Sequence, residues 1–433
     1  MIHLAGIGGV GMSALAQALL DLGHPVSGSD RLLDRGDLTE TLARLKRQGV
    51  PLFPQDGSGI TPGTERLIVS SAIEESNPDL LKARSFGIPV VHRAAELSNA
   101  FRGRKLIAVA GTCGKSTVTA LLGHLLIGAG FDPLVVNGAE IPGWDRNGSR
   151  VGSVHCGRGE WAVAEVDESD RSLMAFHPHA AIITNASADH FSLDEALSLF
   201  AAFRKQVPGP VIDGREGVGE PEGIRLGAWE GSFVVDGLRY TLPMPGHHNV
   251  LNAWYAVRMA LSIGADPRKL VEALASFPGV ARRLQRVGNC GRALVIDDYA
   301  HNPEKLSAAW QTLAADFPQG ICALWRPHGY SPLRKMGEAL AGLFPRICRP
   351  QDQLILLPVY DAGGTTDRSV NTDILANRLV EAGLNVLYLP DMEHAERSMR
   401  EAAGRVGVLV TFGARDPDLP RLAARLAGTA SSH

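Results

Sequence analysis

The stretch Gly111-Thr112-Cys113-Gly114-Lys115-Ser116-Thr117 carries the residue types of a phosphate-binding loop, set between an apolar run at 106–109 and a helix-like segment. The usual pattern, G-x-x-x-x-G-K-[ST], has a glycine six residues before the lysine. Val109 stands there, so this loop is a short form. What the chemistry needs is backbone N–H groups aimed at phosphate ahead of a helix, and Gly111 and Gly114 can still provide that. Lys115 then reaches terminal phosphates and Ser116 offers its hydroxyl to Mg2+. Cys113 fits as a small side chain in a tight loop; beside Lys115 and a helix start, its thiol is also open to a lowered pKa.

The same segment supplies acids. An apolar run at 161–164 leads into Glu165-Val166-Asp167-Glu168-Ser169-Asp170, and four carboxylates at one strand end are costly to crowd without a cation. A second run at 181–184 ends in Asn185-Ala186-Ser187-Ala188-Asp189-His190. If these strands are parallel, their carboxyl ends share one edge, where ligands of such sheets bind. Ser116, Glu168 and His190 are then placed to converge on Mg2+. Taken singly, the acids read better as a solvated loop and His190 as a capping histidine; taken together beside a phosphate loop, the metal site is the better reading.

A second glycine loop, Gly6-Ile7-Gly8-Gly9-Val10-Gly11, fits G-x-G-x-x-G between an apolar strand and an amphipathic helix that begins near Met12 and Ser13. It suits a diphosphate at a helix N-terminus. Asp30 follows Gly11 by nineteen residues at the end of VSGSD, so taken alone the pair reads as a nicotinamide-dinucleotide site. Further along, Gly246-His247-His248-Asn249-Val250-Leu251-Asn252 opens a helix. Asn249 reads either as its N-cap or as a ligand contact, and Asn252 lies one turn later on the same face. Asp297-Asp298-Tyr299-Ala300-His301-Asn302-Pro303 and Arg326-Pro327-His328-Gly329-Tyr330 are polar loops, each directly after an apolar strand.

The elements that must position these loops alternate. Strand, turn and helix begin at 2–5, 106–109 and 293–296, with later apolar strands at 323–325, 354–359, 385–389 and 407–412. Continuous apolar strands alternating with helices predict an α/β fold with parallel sheets covered on both faces. An antiparallel hairpin around Asp236-Gly237 is expected within 230–244, then a helix over 249–263 and another capped by Asp266-Pro267. Segments 101–105 and 279–292 read as polar connections. At 433 residues the chain predicts about three domains. A net charge of −3 gives no basic surface for nucleic acid. No apolar run reaches a membrane span, and the N-terminus lacks a basic leader. Five dispersed cysteines without C-x-x-C argue against disulfides or structural zinc and for a cytoplasmic location.

In combination, GIGGVGMS, VSGSD, SSAI, GTCGKST, EVDESD, TNASADH, HHNVLNA, Arg282-Arg283 and DDYAHNP resemble, in order and over nearly the whole chain, the ATP-dependent Mur ligases of peptidoglycan synthesis. The resemblance is strongest to the branch whose members add L-alanine or a recycled murein tripeptide to UDP-N-acetylmuramate. It implies a Rossmann-like UDP-binding domain (1–104), a central P-loop ATPase with a mostly parallel sheet plus a small antiparallel one (105–288), and a Rossmann-like amino-acid-binding domain (289–433). It implies that Gly8, Gly9, Val10, Gly11, Met12, Ser13, Asp30, Ser71 and Ala72 hold a UDP-sugar. ATP falls to Gly111 through Thr117 with His248, Asn249, Asn252, Arg283 and Asp298, and Mg2+ to Ser116, Glu168 and His190. Tyr299, His301, His328 and Arg334 are assigned the acceptor, and Lys115, Glu168, His190, Arg283 and His301 the catalysis.

The implied reaction joins an amine, L-alanine first among the choices, to the UDP-N-acetylmuramate carboxylate through an acyl phosphate, in a monomer or weak dimer. The recycled tripeptide is the alternative acceptor, because Gly329 and Pro332 stand where the alanine-adding branch carries arginines. Two other readings remain: a nicotinamide oxidoreductase resting on 6–11 and Asp30, and a noncatalytic scaffold that binds UDP-sugar.

Overall fold

The computed structural model describes residues 1–168, 171–187, 191–216, 219–361 and 367–429. The chain divides into two compact units, Met1–Val280 and Ala281–His433. In the first unit, β1 (Ile2–Ala5), β2 (Val26–Ser29), β3 (Leu52–Phe53), β4 (Arg66–Val69) and β5 (Val90–His92) form a parallel sheet in the order β3-β2-β1-β4-β5. The order reverses at β1, so its following turn opens into the crevice between two oppositely wound halves, where such folds bind ligands.

A second sheet in the same unit comprises β6 (Lys105–Ala110), β7 (Leu134–Val136), β8 (Val154–Cys156), β9 (Trp161–Glu165), β10 (Ala180–Ile183) and β11 (Val211–Asp213), ordered β11-β10-β6-β9-β7-β8. Only the β7–β8 pairing is antiparallel. β6 reads KLIAVA and is buried after its first residue, as a strand covered on both faces must be. Arg44 donates to both oxygens of Glu140, at 3.0 and 2.9 Å, and ties the first sheet's helices to the loop after β7.

The small antiparallel sheet holds β12 (Glu222–Leu226), β13 (Gly231–Val235) and β14 (Leu238–Leu242). Asp236 and Gly237 both have positive φ, 50° and 78°, which is the two-residue turn expected from that dipeptide. A β-carbon on Gly231 would fall 2.4 Å from Val250, so the hairpin lies flat on helix His247–Ser262. That helix begins two residues before Asn249, with Gly246 (φ 90°) as its N-cap. The capping reading of Asn249 is therefore corrected: it sits buried inside the first turn and donates to Pro245 O at 2.8 Å. Asp266 caps Pro267–Ala275 as expected, accepting from the Arg268 N–H.

The second unit is one sheet: β15 (Gln285–Cys290), β16 (Ala293–Asp298), β17 (Ile321–Trp325), β18 (Gln353–Leu356), β19 (Val386–Tyr388) and β20 (Val408–Phe412), in the order β15-β16-β20-β17-β18-β19. β15 alone runs antiparallel. It corrects the reading of 279–292 as a mere connection. An edge strand needs only one apolar face and tolerates Gln, Arg and Asn, so its sequence looks like a linker.

His3 shows how tightly the first sheet is packed. It is fully buried on β1 with Nδ1 2.9 Å from Ser27 Oγ, and burial lowers its pKa from 6.5 to about 4. The unfolded chain takes up this proton first on acidification, so the stabilisation is complete above pH 6.5 and drains away towards pH 4. Urea unfolding of the first sheet's unit should show a loss of about 2 kcal/mol from His3 alone between pH 7 and pH 5. His3→Asn, which keeps an acceptor near Ser27, should show a shallower pH dependence.

Candidate functional site

The turn after β6 is shaped by the end of β10. A β-carbon on Gly111 (φ 125°) would fall 2.1 Å from Thr184 Oγ1, so only glycine lets the two backbones meet. Thr184 Oγ1 donates to Cys113 O at 2.6 Å, and Asn185 brackets the same residue, accepting from its N–H at 2.8 Å and donating to its carbonyl at 3.0 Å. Ser187 N–H donates to Thr112 Oγ1 at 3.0 Å. Gly114 (φ 86°) then caps helix Lys115–Gly128. The N–H groups of Lys115, Ser116 and Thr117 begin that helix and have no acceptor within it, which makes the turn an anion cradle.

Lys115 folds back over this cradle. Its Nζ donates to Gly111 O at 2.7 Å and to Glu168 Oε2 at 2.7 Å, with Asp167 Oδ1 at 3.8 Å. Burial works against its charge, but Glu168, Glu165 and Asp167 outweigh that and hold its pKa above the ordinary lysine value. For Glu168 burial wins: its carboxyl is raised despite the pull of Lys115. From the far side, Asn252 Oδ1 lies 2.7 Å from where a β-carbon on Gly114 would stand, and Asn252 donates to Asn249 at 3.4 Å. His248 is exposed beside them.

Lys115, Ser116, Glu168, Asn249 and Asn252 are thus gathered around one turn. His190 lies outside the described residues. Among the described residues no three His, Cys, Asp or Glu side chains form a metal cage. The donors present are oxygens, from Glu168, Asp167 and the Ser116 hydroxyl. That set suits Mg2+, which typically takes one or two carboxylates and completes its shell with substrate phosphates and water. Thr184 and Asn185 were not singled out by the sequence reading; their signal was the position of TNAS at the carboxyl end of a strand beside β6.

At the first glycine loop, Gly8 N–H donates to Asp30 Oδ2 at 2.8 Å, while Asp30 Oδ1 accepts from Leu32 N–H at 3.0 Å as a helix cap. Both oxygens of Asp30 are thereby engaged with backbone. Gly9 caps helix Val10–Asp21; Val10 is exposed, whereas Met12 and Ser13 are buried and Ser13 Oγ donates to Val10 O. Ser71 and Ala72 are exposed after β4, on the same sheet edge, with Ser71 Oγ 3.2 Å from His92 Nε2. A β-carbon on Gly11 would overlap the Arg93 guanidinium, so a cation lies against this loop that the sequence reading did not pick out.

In the second unit, Tyr299, His301 and His328 gather. The His301 ring packs edge-on against Tyr299 at 5.5 Å and His328 at 4.8 Å. Burial lowers His301 to about 3 and His328 to about 4, with the charges of Lys305 and other cations adding to it, so both rings are neutral near pH 7. Arg283 lies over Tyr299 at 5.3 Å. Asp298 is buried and accepts from Leu284 N–H at 2.6 Å and Ala300 N–H at 2.7 Å, so its observed role is to hold the turn that presents Arg283. Arg334 is exposed and ion-paired with Asp367 at 2.7 Å.

The family models that match are "Mur ligase family, catalytic domain" over residues 1–105 and "Mur ligase, glutamate ligase domain" over 282–415. The UDP-N-acetylmuramate–L-alanine ligase of Acidithiobacillus ferrooxidans is 33% identical, covering 95% of this chain and 94% of its own. That of Rubrobacter xylanophilus is 34% identical, covering 96% and 97%. Among solved structures, the UDP-N-acetylmuramate–alanine ligase MurC of Thermotoga maritima superposes with a TM-score of 0.81 at 26% identity over 99% of this chain and 98% of that one. A murein peptide ligase of Psychrobacter arcticus shares the fold, with a TM-score of 0.67 at 19% identity over 100% and 99%. Motif order, sheet topology and full-length identity agree: the chain belongs to the Mur ligase family.

Proposed function

We propose that this chain is an ATP-dependent ligase that joins L-alanine to the carboxylate of UDP-N-acetylmuramate. The observation that carries the reading is the buried Lys115–Glu168 pair over a short phosphate loop, in a chain whose full-length relatives at 32–34% identity are named for that reaction. The nicotinamide reading leaves the short phosphate loop and its buried Lys115–Glu168 pair without a role. The noncatalytic reading does not account for two charges kept buried at the phosphate loop.

In the proposed reaction a carboxylate oxygen of the muramoyl group attacks the γ-phosphorus of ATP. The bond to the β–γ bridging oxygen breaks, giving ADP and an acyl phosphate. The neutral amine of the acceptor then attacks the acyl carbon, and the tetrahedral adduct expels phosphate and loses a proton to leave the amide. Such transfers depend on charge neutralisation and alignment. Lys115 supplies positive charge at the phosphates, the N–H groups at 115–117 orient them, and the first glycine loop with Arg93 is suited to the diphosphate of the UDP-sugar. Mg2+ held by Ser116, Glu168 and His190 would add charge neutralisation at the same phosphates.

The recycled-tripeptide alternative is less well supported, because the relatives at 33–34% identity are named as L-alanine ligases, whereas the murein peptide ligase shares 19%. Phosphate release with ATP and UDP-N-acetylmuramate, measured against L-alanine, L-serine, glycine and L-alanyl-γ-D-glutamyl-diaminopimelate, should be fastest with L-alanine; activity with the tripeptide alone would replace this reading. Lys115→Ala should lower turnover by about a hundredfold or more. Calorimetry should find its UDP-N-acetylmuramate affinity unchanged, and wild-type rates from this variant would contradict the assignment of ATP to the loop.

A further inference from the structure

The second unit carries a cation that no role above explains. β20 lies between β16 and β17, all three parallel, with Phe412 in register with both Asp298 and Trp325. The turns that follow these strands therefore leave one edge side by side. The turn after β16 brings Tyr299 and His301, the turn after β17 brings His328, and the His301 and His328 rings meet at 4.8 Å across the strand between them. The middle turn, 413–416, follows β20 on the same edge, and its exposed residue is Arg415.

Arg415 has φ 62°, a left-handed conformation that an L side chain adopts at a cost. The turn holding it there is well anchored: Gly413 O accepts from Arg282 at 2.6 Å, and buried Asp416 takes Arg326 at 2.9 Å and Asp418 N–H at 2.9 Å. Four other guanidiniums of this unit are committed, Arg282 to Asp297, Arg326 to Asp416, Arg334 to Asp367 and Arg368 to Asp361, and Arg283 lies over the Tyr299 ring. Arg415 has no ion pair among the described residues, and its charge reaches His328, where it adds to the depression of the imidazole. His328 Nδ1 is itself buried without a hydrogen-bond partner among the described residues. A free guanidinium beside an unsatisfied neutral imidazole is a recognition pair for a carboxylate.

We propose that Arg415 holds the carboxylate of the incoming amine acceptor, beside the His301–His328 pair. The assignment rests on the ligase reading above and explains how an acceptor site manages with Gly329 and Pro332 in its loop. It makes the acceptor an α-amino acid or peptide recognised by its free carboxylate. The test is steady-state phosphate release by the full chain with L-alanine and with L-alaninamide, in wild type, Arg415→Gly and Arg415→Lys.

Glycine accepts φ 62° without strain, so Arg415→Gly should fold with an unchanged melting temperature. Its KM for L-alanine should rise about tenfold or more, with KM for ATP and UDP-N-acetylmuramate unchanged. L-Alaninamide should be a poor acceptor for wild type and no worse for the variant, and Arg415→Lys should recover part of the loss. An unchanged KM for L-alanine, an equal loss with L-alaninamide, or a rise in KM for ATP would overturn the role of Arg415 while leaving the ligase reading intact. No acceptor-dependent phosphate release from wild type would overturn both.

Discussion

A lysine and a carboxylate buried together set the terms for the phosphate loop. Removing two opposite charges from water costs several kcal/mol each unless they are paired and hydrogen-bonded. Lys115 meets this by bonding Glu168 and Gly111 O at once. The ammonium is thereby folded over its own loop, desolvated and charged before any ligand arrives. A phosphate that enters need not strip water from the lysine again; it substitutes for one anionic partner. The raised pKa of Glu168 marks how poorly that carboxylate is solvated where it stands.

The turns around the candidate sites share a device. In each, a short side chain at a strand end accepts backbone N–H groups that the turn would otherwise leave unpaired: Asp30 for Gly8, Asn185 for Cys113, Asp298 for Leu284 and Ala300. The two glycine loops are thus shaped by a residue at the end of a neighbouring parallel strand, whereas Asp298 clamps its own turn and the segment that enters antiparallel β15. This is why parallel order matters to function here: it puts the clamping residue and the clamped turn on one edge.

Much of this was legible in the sequence. Fully apolar strands such as those ending at Ala110 and Phe412 announced parallel sheets, the Asp236-Gly237 turn announced its hairpin, and GTCGKST announced the phosphate loop. What escaped was whatever depends on register. Gln285–Cys290 looks like linker because an edge strand carries little apolar signal. Asn249 looks like a cap because caps and buried ligand contacts use the same residue types, and only the N-cap at Gly246, with its positive φ, shows that Asn249 is not the cap. Thr184, Asn185 and Arg93 are fixed by contacts with glycine loops far away in the chain, and Arg415 by the strand order that sets its turn between those after β16 and β17. Apart from TNAS at the end of its strand, none of these leaves a local pattern.

That strand order has a further consequence, for the timing of assembly. β20 is the last of its sheet in the chain, yet it is the strand that β16 and β17 both pair with. Ribosomal synthesis delivers β16 more than a hundred residues before the partner that completes its hydrogen bonds. Until Val408–Phe412 emerges, β16 has only the edge strand β15 beside it and β17 only β18, two half-sheets with open apolar edges. Pairing over such separations is slow, because the loop-closure entropy is lost before the contacts that offset it form. The nascent second unit therefore keeps two strand edges open until its last strand emerges.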